Sequence, residues 1–354
     1  MYNFNSGPAT LPPDVLQEAA RAVVNYGDTG LSILEIPHRG ALFTELLEEG
    51  NALVRELLSL NADYEVLWLQ GGGRMQFSMV PMNFLGPGET AGYIDSGHWA
   101  ADAIKNAAFY GNTEIIASSR NEGYRNIPRW EIIPDTLAYL HITTNNTIYG
   151  TQFFRFPETQ VPLVADMSSE LFSRTLDYNQ FDLIYAVAQK NIGPAGVTLV
   201  VIKKSLLEKQ KRELPGILSY KTIAAYNSVW NTPPVFAIYC SVLNLRRLRQ
   251  TGLQAIESRN EAKARQLYEA IDGSRLFYGT AQEGDRSRMN VCFRARKPEL
   301  ESAFMQFAKE RNITGIEGHR SVGGFRAALY NAVTPEAVTH LINVMQTFEA
   351  DHTP

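Results

Sequence analysis

One stretch of this chain, residues 181–196, reads FDLIYAVAQKNIGPAG. Its first seven residues have the length and the Ile, Tyr and Val content of a buried strand. Gly193, Pro194 and Gly196 prevent an immediate helix, so Lys190 lies just past the strand end, where α/β sheets place ligand crevices. A buried lysine there can have a depressed pKa and form a Schiff base with a carbonyl cofactor. From this segment alone, a solvated loop lysine remains the alternative.

A second apolar segment ends in an acid. Residues 161–169 read VPLVADMSS, and Asp166 precedes Lys190 by 24 positions, which leaves room for an excursion and a return to a neighbouring strand. Pyridoxal 5'-phosphate needs both groups, because a lysine binds its aldehyde and a carboxylate pairs with its pyridine nitrogen. Taken alone, Asp166 would be a helix cap or a turn residue. The pair in this order favours the cofactor site.

A strand, a glycine turn and a helix form a candidate phosphate site. Residues 65–70 are strand-like, the sequence GGGR follows at 71–74, and residues 75–85 have a helical pattern. Such a turn gathers backbone N–H groups at a helix N-terminus, where the helix dipole favours an anion. The spacing is neither that of a P-loop nor the Rossmann GxGxxG, and a simple tight turn is the alternative.

Length and composition limit the class of protein. A chain of 354 residues exceeds a typical single core, and 45% hydrophobic and 20% charged residues are ordinary for a soluble globular protein. A net charge of −4 argues against nucleic acid as a partner. Two cysteines cannot build a disulfide framework, and neither a signal peptide nor a membrane span is evident. We therefore expect a cytoplasmic protein.

Strands and helices alternate from residue 65 to about 203, which predicts a mostly parallel sheet with crossover helices. The strand candidates are 65–70, 91–95, 136–142, 162–166, 181–187 and 197–202, and the helix candidates are 15–26, 42–60, 75–85, a segment from about 235 to 249, and 253–271. The remainder, with strands 289–294 and 325–330 and helices 298–311 and 335–349, reads as a compact α+β unit. We predict a large cofactor-binding domain over residues 16–255 and a small α+β domain over residues 1–15 and 256–354, joined by the helix 253–271.

Further motifs accompany these segments over nearly the whole chain. They are NFNSGPA (3–9), IPHRG (36–40), GGGR (71–74), SGHW (96–99), NNTI (145–148), ADMSS (165–169), AQKNIGPAG (188–196), NTPP (231–234), SRMNV (287–291) and GHRSVGGFR (318–326). Together they resemble the phosphoserine aminotransferases, a branch of the class V aminotransferases within the fold-type I pyridoxal phosphate enzymes. The chain departs from the family pattern at Met75, Asn146 and Cys292, and Met75 crowds the glycine turn.

The resemblance implies a large domain with a mostly parallel seven-stranded sheet flanked by helices, and a smaller α+β C-terminal domain. It implies reversible transamination of 3-phosphohydroxypyruvate with glutamate, giving O-phospho-L-serine and 2-oxoglutarate in L-serine biosynthesis. The same chemistry on 4-phosphohydroxy-L-threonine would serve pyridoxine biosynthesis. The alternative within the family is a class V aminotransferase for small amino acids and glyoxylate. A desulfurase would need a mobile cysteine, whereas Cys240 and Cys292 lie in a predicted buried helix and strand. A non-catalytic phosphate-binding protein with the same fold is disfavoured by Asp166 and Lys190.

The resemblance also assigns residues. Lys190 and Asp166 would be catalytic, and the cofactor would be bound by Gly73, Arg74, Trp99, Thr147, Asp166, Gln189, Lys190, Asn231 and Thr232. The small anionic substrates would be bound by Ser6, His38, Arg39, His319, Arg320 and Arg326. Asn231 and Thr232 would reach the phosphate of the neighbouring subunit, so a homodimer is expected, with no metal, nucleic acid or membrane partner.

Overall fold

The structure is a computed structural model, and it describes residues 1–352. The strands in that range are β1 (Tyr2–Asn3), β2 (Tyr64–Gln70), β3 (Thr90–Asp95), β4 (Asn112–Ser118), β5 (Leu140–Thr143), β6 (Asn145–Asn146), β7 (Thr151–Gln152), β8 (Leu163–Asp166), β9 (Leu183–Val187), β10 (Val197–Lys203), β11 (Phe277–Gly279), β12 (Asn290–Ala295), β13 (Ile313–Thr314) and β14 (Phe325–Ala328). The α-helices are α1 (Pro13–Val24), α2 (Ala41–Leu57), α3 (Gly73–Phe84), α4 (His98–Ala107), α5 (Lys204–Leu207), α6 (Tyr220–Ala225), α7 (Val235–Thr251), α8 (Leu253–Asp272), α9 (Glu301–Glu310) and α10 (Pro335–His352).

The main sheet of the described residues has seven strands in the order β2-β10-β9-β8-β5-β3-β4. β10 is antiparallel to both of its neighbours, and the other strands are parallel to one another. The central strands β5, β8 and β9 are buried at every position, as expected for a sheet covered on both sides. The α/β class and the mostly parallel sheet predicted from sequence are confirmed.

Two helical layers cover this sheet. On one face, α1, α2 and α7 contribute Val15, Phe43 and Val242 to a core that includes Trp68 of β2. On the other face, α3, α4 and α6 pack over a second core that includes Tyr185 of β9. Because helices cover both faces of the sheet, its carboxyl edge is left free for a site.

A smaller α+β unit follows the sheet. β11, β12 and β14 form an antiparallel sheet that packs with α8, α9 and α10, and Phe4 from the chain start joins the same core. α8 connects the two cores, because its Ile256 packs in the large core and its Leu267 in the small one. The small α+β unit is therefore confirmed, while the domain limits at residues 15 and 255 stay a prediction.

Two elements of the large sheet differ from the sequence prediction. β4 was not predicted, because this edge strand carries polar residues at both ends and is partly exposed along its length. The strand predicted over 136–142 begins only at Leu140, since residues 135–138 form turns and bends after Pro134. Among residues 1–352, the helices are all too short or too polar to cross a membrane.

Candidate active site

A cavity of about 290 Å³ opens at the carboxyl edge of the parallel strands. β2, β5, β8 and β9 end at this edge, and their last residues or the turns after them form its walls. Seven of the predicted site residues line the cavity: Gly73, Arg74, Trp99, Thr147, Asp166, Gln189 and Lys190. Residues separated by more than a hundred positions in the sequence thus meet at one place.

Lys190 lies three residues beyond β9, as the opening stretch predicts. Its side chain is half-buried, and its Nζ donates a hydrogen bond to Thr147 Oγ1 at 3.1 Å. Burial lowers the pKa of Lys190 to about 8; the charge of Asp166 opposes this shift and that of Arg326 adds to it. A larger share of this amine is therefore neutral and nucleophilic near neutral pH than for an ordinary lysine.

The turn that carries Lys190 is held against α7. A Cβ at Gly193 would lie 2.2 Å from Ser241 Oγ, so only glycine allows this approach. Asn244 Nδ2 donates to the carbonyls of Asn191 at 2.8 Å and Ile192 at 3.0 Å. Because an unpaired buried carbonyl costs about 1–3 kcal/mol, Asn244 fixes the position of the turn.

Asp166 ends β8, the parallel neighbour of β9, so the excursion predicted between Asp166 and Lys190 is confirmed. The carboxylate is buried, and its Oδ1 accepts a hydrogen bond from the Ser168 backbone N–H at 2.9 Å. Burial raises the pKa of Asp166, and the hydrogen bonds of Ser168 and the charge of Lys190 oppose that shift. The cavity therefore holds a carboxylate that requires a cationic or hydrogen-bonding partner.

The glycine turn at 71–73 leads directly into α3. Gly71 has φ 93°, and Gly72 is the N-cap of the helix, with no side-chain hydrogen bond capping it from within residues 1–352. The first turn of α3 therefore presents its backbone N–H groups toward the cavity, which Gly72, Gly73 and Arg74 line. This arrangement supports the predicted anion cup.

Arg74 and Trp99 connect α3 with α4 at the cavity wall. Arg74 Nε donates to Asp102 Oδ2 at 3.1 Å, and its guanidinium lies 5.3 Å from the centre of the Trp99 ring. The Arg74 side chain is thus turned toward α4, which leaves its backbone for the anion cup. Trp99 is half-buried, and its Nε1 has no hydrogen-bond partner among the described residues.

Cations gather beside the cavity on the small unit. Arg326 of β14 donates from Nη1 to the Thr147 carbonyl at 3.5 Å, and its buried Nε lacks a partner within residues 1–352. His319 packs against His98 with 5.6 Å between ring centres. Burial lowers the pKa of His319, and the charges of Arg326, His98 and Arg320 lower it further. The two arginines therefore supply the positive charge beside the cavity, and His319 takes up a proton less readily than an ordinary histidine.

Eight predicted residues do not line the Lys190 cavity in the described part of this chain: His319, Arg320 and Arg326 of the small unit, and five others that lie elsewhere. His38 and Arg39 lie in the loop between α1 and α2, and the buried Nε2 of His38 lacks a partner in residues 1–352. Asn231 borders a separate groove on the other side of the glycine turn, and the Thr232 carbonyl accepts a hydrogen bond from Gln70. The Ser6 carbonyl accepts from Tyr330 Oη at 3.1 Å, so the structure gives Ser6 a backbone contact.

Several cavity residues were not assigned from sequence. They are Gly72, Phe77, Thr143, Asn145, Ser168, Ser169 and Val187. Asn145 Nδ2 donates to Ser169 Oγ and to Asn290 Oδ1, both at 2.8 Å, and its Oδ1 accepts from Ser287 Oγ at 2.5 Å. The SRMNV motif, for which the sequence suggested no role, therefore ties the small unit to the cavity wall.

A second buried lysine lies elsewhere. Burial lowers the pKa of Lys263 to about 7, and the charge of Arg259 adds to the shift. Its Nζ donates to the carbonyls of Leu329, Tyr330 and Val333, each at 2.9 Å. Because all three donor positions of the ammonium are used, and because Lys263 does not line the Lys190 cavity, its role is structural.

Comparison with known proteins agrees with this geometry. The sequence model of the family Aminotransferase class-V matches residues 1–341. The phosphoserine aminotransferase of Lysinibacillus sphaericus (strain C3-41) is 48% identical to this chain over 356 residues, which cover 99% of the chain and 98% of that relative. Two solved structures are also similar. Phosphoserine aminotransferase from Bacillus circulans subsp. alkalophilus has a TM-score of 0.96 at 43% identity over 98% of each chain. PLP-bound phosphoserine aminotransferase from Trichomonas vaginalis has a TM-score of 0.92 at 33% identity, over 98% of this chain and 99% of that one.

Proposed function

The chain belongs to the class V aminotransferase family, and we propose that it transfers an amino group reversibly between O-phospho-L-serine and 2-oxoglutarate. The products would be 3-phosphohydroxypyruvate and glutamate, and the reaction would serve L-serine biosynthesis. One observation carries the proposal: a nucleophilic lysine, a buried carboxylate and a helix N-terminus share one cavity, beside a cluster of cations. The near full-length similarity to phosphoserine aminotransferases supports the choice of substrate.

The cavity fits pyridoxal 5'-phosphate, the cofactor of this family. Lys190 would bind its aldehyde, Asp166 would face its pyridine nitrogen, and the first turn of α3 would receive its phosphate. Trp99 would cover the ring, and Gln189 and Thr147 would hydrogen-bond its substituents. When bound, the cofactor supplies a carbonyl for the exchange of amines and an electron-withdrawing ring that stabilises negative charge at the substrate Cα.

The residues around the cofactor have separate tasks. Lys190 would act as the base that removes the proton from the substrate Cα and as the acid that returns a proton. Thr147 would orient the lysine amine through the hydrogen bond that it accepts at 3.1 Å. Asp166 would keep the proton on the ring nitrogen, since its buried carboxylate needs a cationic or hydrogen-bonding partner.

Substrate recognition would use the cations of the small unit. Arg326 would bind the α-carboxylate, because its Nε is free to donate within the described residues and it lies close enough to act on Lys190. His319 and Arg320 would bind the distal phosphate, or the side-chain carboxylate of glutamate. Arg326 would thus bind one anionic end of the substrate, and His319 with Arg320 would bind the other.

We propose a homodimer in which Asn231 and Thr232 complete the neighbouring subunit's site. Both lie outside their own chain's Lys190 cavity, beside a groove that Met75, Ile217 and Asn231 line. Met75 and Ile217 of the groove are exposed apolar side chains, and two more, Tyr226 and Trp230, pack on each other next to Gly216. Apolar surface of this kind is typical of a subunit interface. If His38 and Arg39 bind substrate, as the resemblance implies, they too must reach the neighbour's cavity.

Other readings are weaker. A desulfurase would need a reactive thiolate, but both cysteines are buried, and burial raises the pKa of Cys240 to about 11 and of Cys292 to about 12. An aminotransferase for small amino acids and glyoxylate would not need the distal cations. A role for 4-phosphohydroxy-L-threonine in pyridoxine synthesis and a cytoplasmic location stay predictions.

The experiment is a transamination assay with phosphoserine, serine, alanine and aspartate as donors to 2-oxoglutarate. We expect kcat/KM for phosphoserine to exceed that for serine at least tenfold, since the phosphate adds a charge-assisted hydrogen bond of roughly 1.5–3 kcal/mol. Equal values for serine and phosphoserine would contradict the proposed substrate. Preferential use of alanine with glyoxylate would support the alternative within the family.

A further inference from the structure

A buried polar chain lies directly beneath Asp166. Its members are His141 on β5 and Tyr185 on β9, the strands on either side of β8. Asp166 and Tyr185 are register partners, and His141 pairs with Val164, two residues before Asp166 on the same face of β8. Exposed fractions are 2% for His141, 0% for Tyr185 and 6% for Asp166. Polar groups this deeply buried need hydrogen-bond partners.

One hydrogen bond and one register pair link these residues. His141 Nε2 and Tyr185 Oη are 2.9 Å apart. Tyr185 is also the register partner of Asp166 on the adjacent parallel strand, and its hydroxyl acts to lower the pKa of that acid. The other groups that act on the carboxylate are Ser168, through hydrogen bonds, and Lys190, through its charge.

The direction of the hydrogen bonds follows from donor counting. Burial lowers the pKa of His141 to about 3, so the ring is neutral and carries one N–H. Its Nδ1 is buried and lacks a partner within residues 1–352. A proton on Nδ1 would therefore be a buried, unpaired donor, which native structures rarely tolerate. The proton belongs on Nε2, which donates to Tyr185 Oη, and the single hydroxyl proton of Tyr185 is left for Asp166.

We propose that His141 and Tyr185 are positioning residues that hold Asp166 as an ionised acceptor for the protonated ring nitrogen of the cofactor. This inference rests on the proposed function, because it assumes that Asp166 faces that nitrogen. A donor on the carboxylate makes it a weaker base. The proton that Asp166 and the ring share therefore stays on the ring, where the electron-withdrawing effect requires it.

The test removes the hydroxyl and follows the ring nitrogen. Tyr185→Phe and wild type are loaded with ¹⁵N-labelled pyridoxal 5'-phosphate, and the ¹⁵N chemical shift reports the protonation of the ring. We expect the signal of Tyr185→Phe to move toward that of an unprotonated pyridine. We also expect kcat with phosphoserine to fall on the order of tenfold, while KM stays within about twofold.

Tyr139→Phe is the matched control, because its hydroxyl is equally buried on the same face of the sheet and bonds only to Tyr93 Oη, at 2.8 Å, among the described contacts. It should leave the ¹⁵N shift unchanged. Two variants of His141 test its hydrogen bond to Tyr185. His141→Gln retains an N–H donor, so its ¹⁵N shift should resemble that of wild type. His141→Leu has no donor, so its ¹⁵N shift should resemble that of Tyr185→Phe. If Tyr185→Phe does not fold, the two His141 variants decide the question.

A ¹⁵N shift in Tyr185→Phe equal to that in Tyr139→Phe would overturn the inference, as would equal shifts in His141→Leu and His141→Gln. Results for wild type alone would show that the proposed function is wrong. In that case wild type itself would not bind the labelled cofactor, or would bind it without transaminating phosphoserine.

Discussion

Replacing Lys263 tests whether this buried lysine stabilises the fold and takes no part in binding the cofactor. We expect Lys263→Met to lower the free energy of unfolding by about 2–4 kcal/mol. Methionine keeps the apolar stem but removes the donor that three carbonyls share, each at 2.9 Å from Nζ. Each carbonyl left unpaired in the interior costs about 1–3 kcal/mol. The variant no longer buries an ammonium group, and this gain offsets part of the cost of the three carbonyls.

The assay is urea unfolding of the apoprotein, followed by circular dichroism and extrapolated linearly to water. Lys309→Met is the control, because Lys309 is an exposed helical lysine of α9, where such changes stay within about 0.5 kcal/mol. Cofactor incorporation by folded Lys263→Met should match that of wild type. The reasoning would be refuted if Lys263→Met were as stable as Lys309→Met, or if it folded but no longer bound the cofactor covalently.

Further predictions concern Lys190 and Asp166 in the cavity and the arginines of the small unit. The rate at which the apoprotein binds pyridoxal 5'-phosphate covalently should rise with pH and level off above about pH 8, since burial lowers the pKa of Lys190 to about 8 and the neutral amine is the nucleophile. Asp166→Asn should move this plateau to lower pH in stopped-flow absorbance, because the charge of Asp166 raises the pKa of Lys190; an unmoved plateau would argue against this coupling. Arg320→Ala should reduce kcat/KM for phosphoserine and glutamate about tenfold to a hundredfold while sparing alanine, whereas Arg326→Ala should impair all three donors. Equal losses for alanine and phosphoserine in Arg320→Ala would show that Arg320 does not bind the phosphate.

The central part of the fold could be predicted because its signals are local. β9 is a continuous apolar run and β10 is apolar except for Thr198 and Lys203, and the glycines after Val187 place Lys190 at a strand end. The edge strand β4 was missed because it is partly exposed and its apolar run is limited to residues 115–117. Local pattern therefore predicts buried strands better than edge strands.

The site was predicted in part for the same reason. Each of the predicted groups lies at or just after the end of a strand, where the sequence changes from apolar residues to polar residues or glycine. These groups are Lys190, Asp166 and the glycine turn. Asn145 and Asn290 are 145 positions apart, so their hydrogen bond follows only from the packing of the small unit on the sheet. The contact of His141 with Tyr185 was equally hidden, because it depends on the order of the strands.

Covalent trapping of the cofactor identifies the reactive lysine. The loaded protein is reduced with borohydride and digested, and the peptides are analysed by mass spectrometry. We predict one phosphopyridoxyl group per chain, on the peptide that contains Lys190, and none in Lys190→Ala. A label on Lys263 or any other lysine, or phosphoserine transamination retained by Lys190→Ala, would contradict the assignment of Lys190.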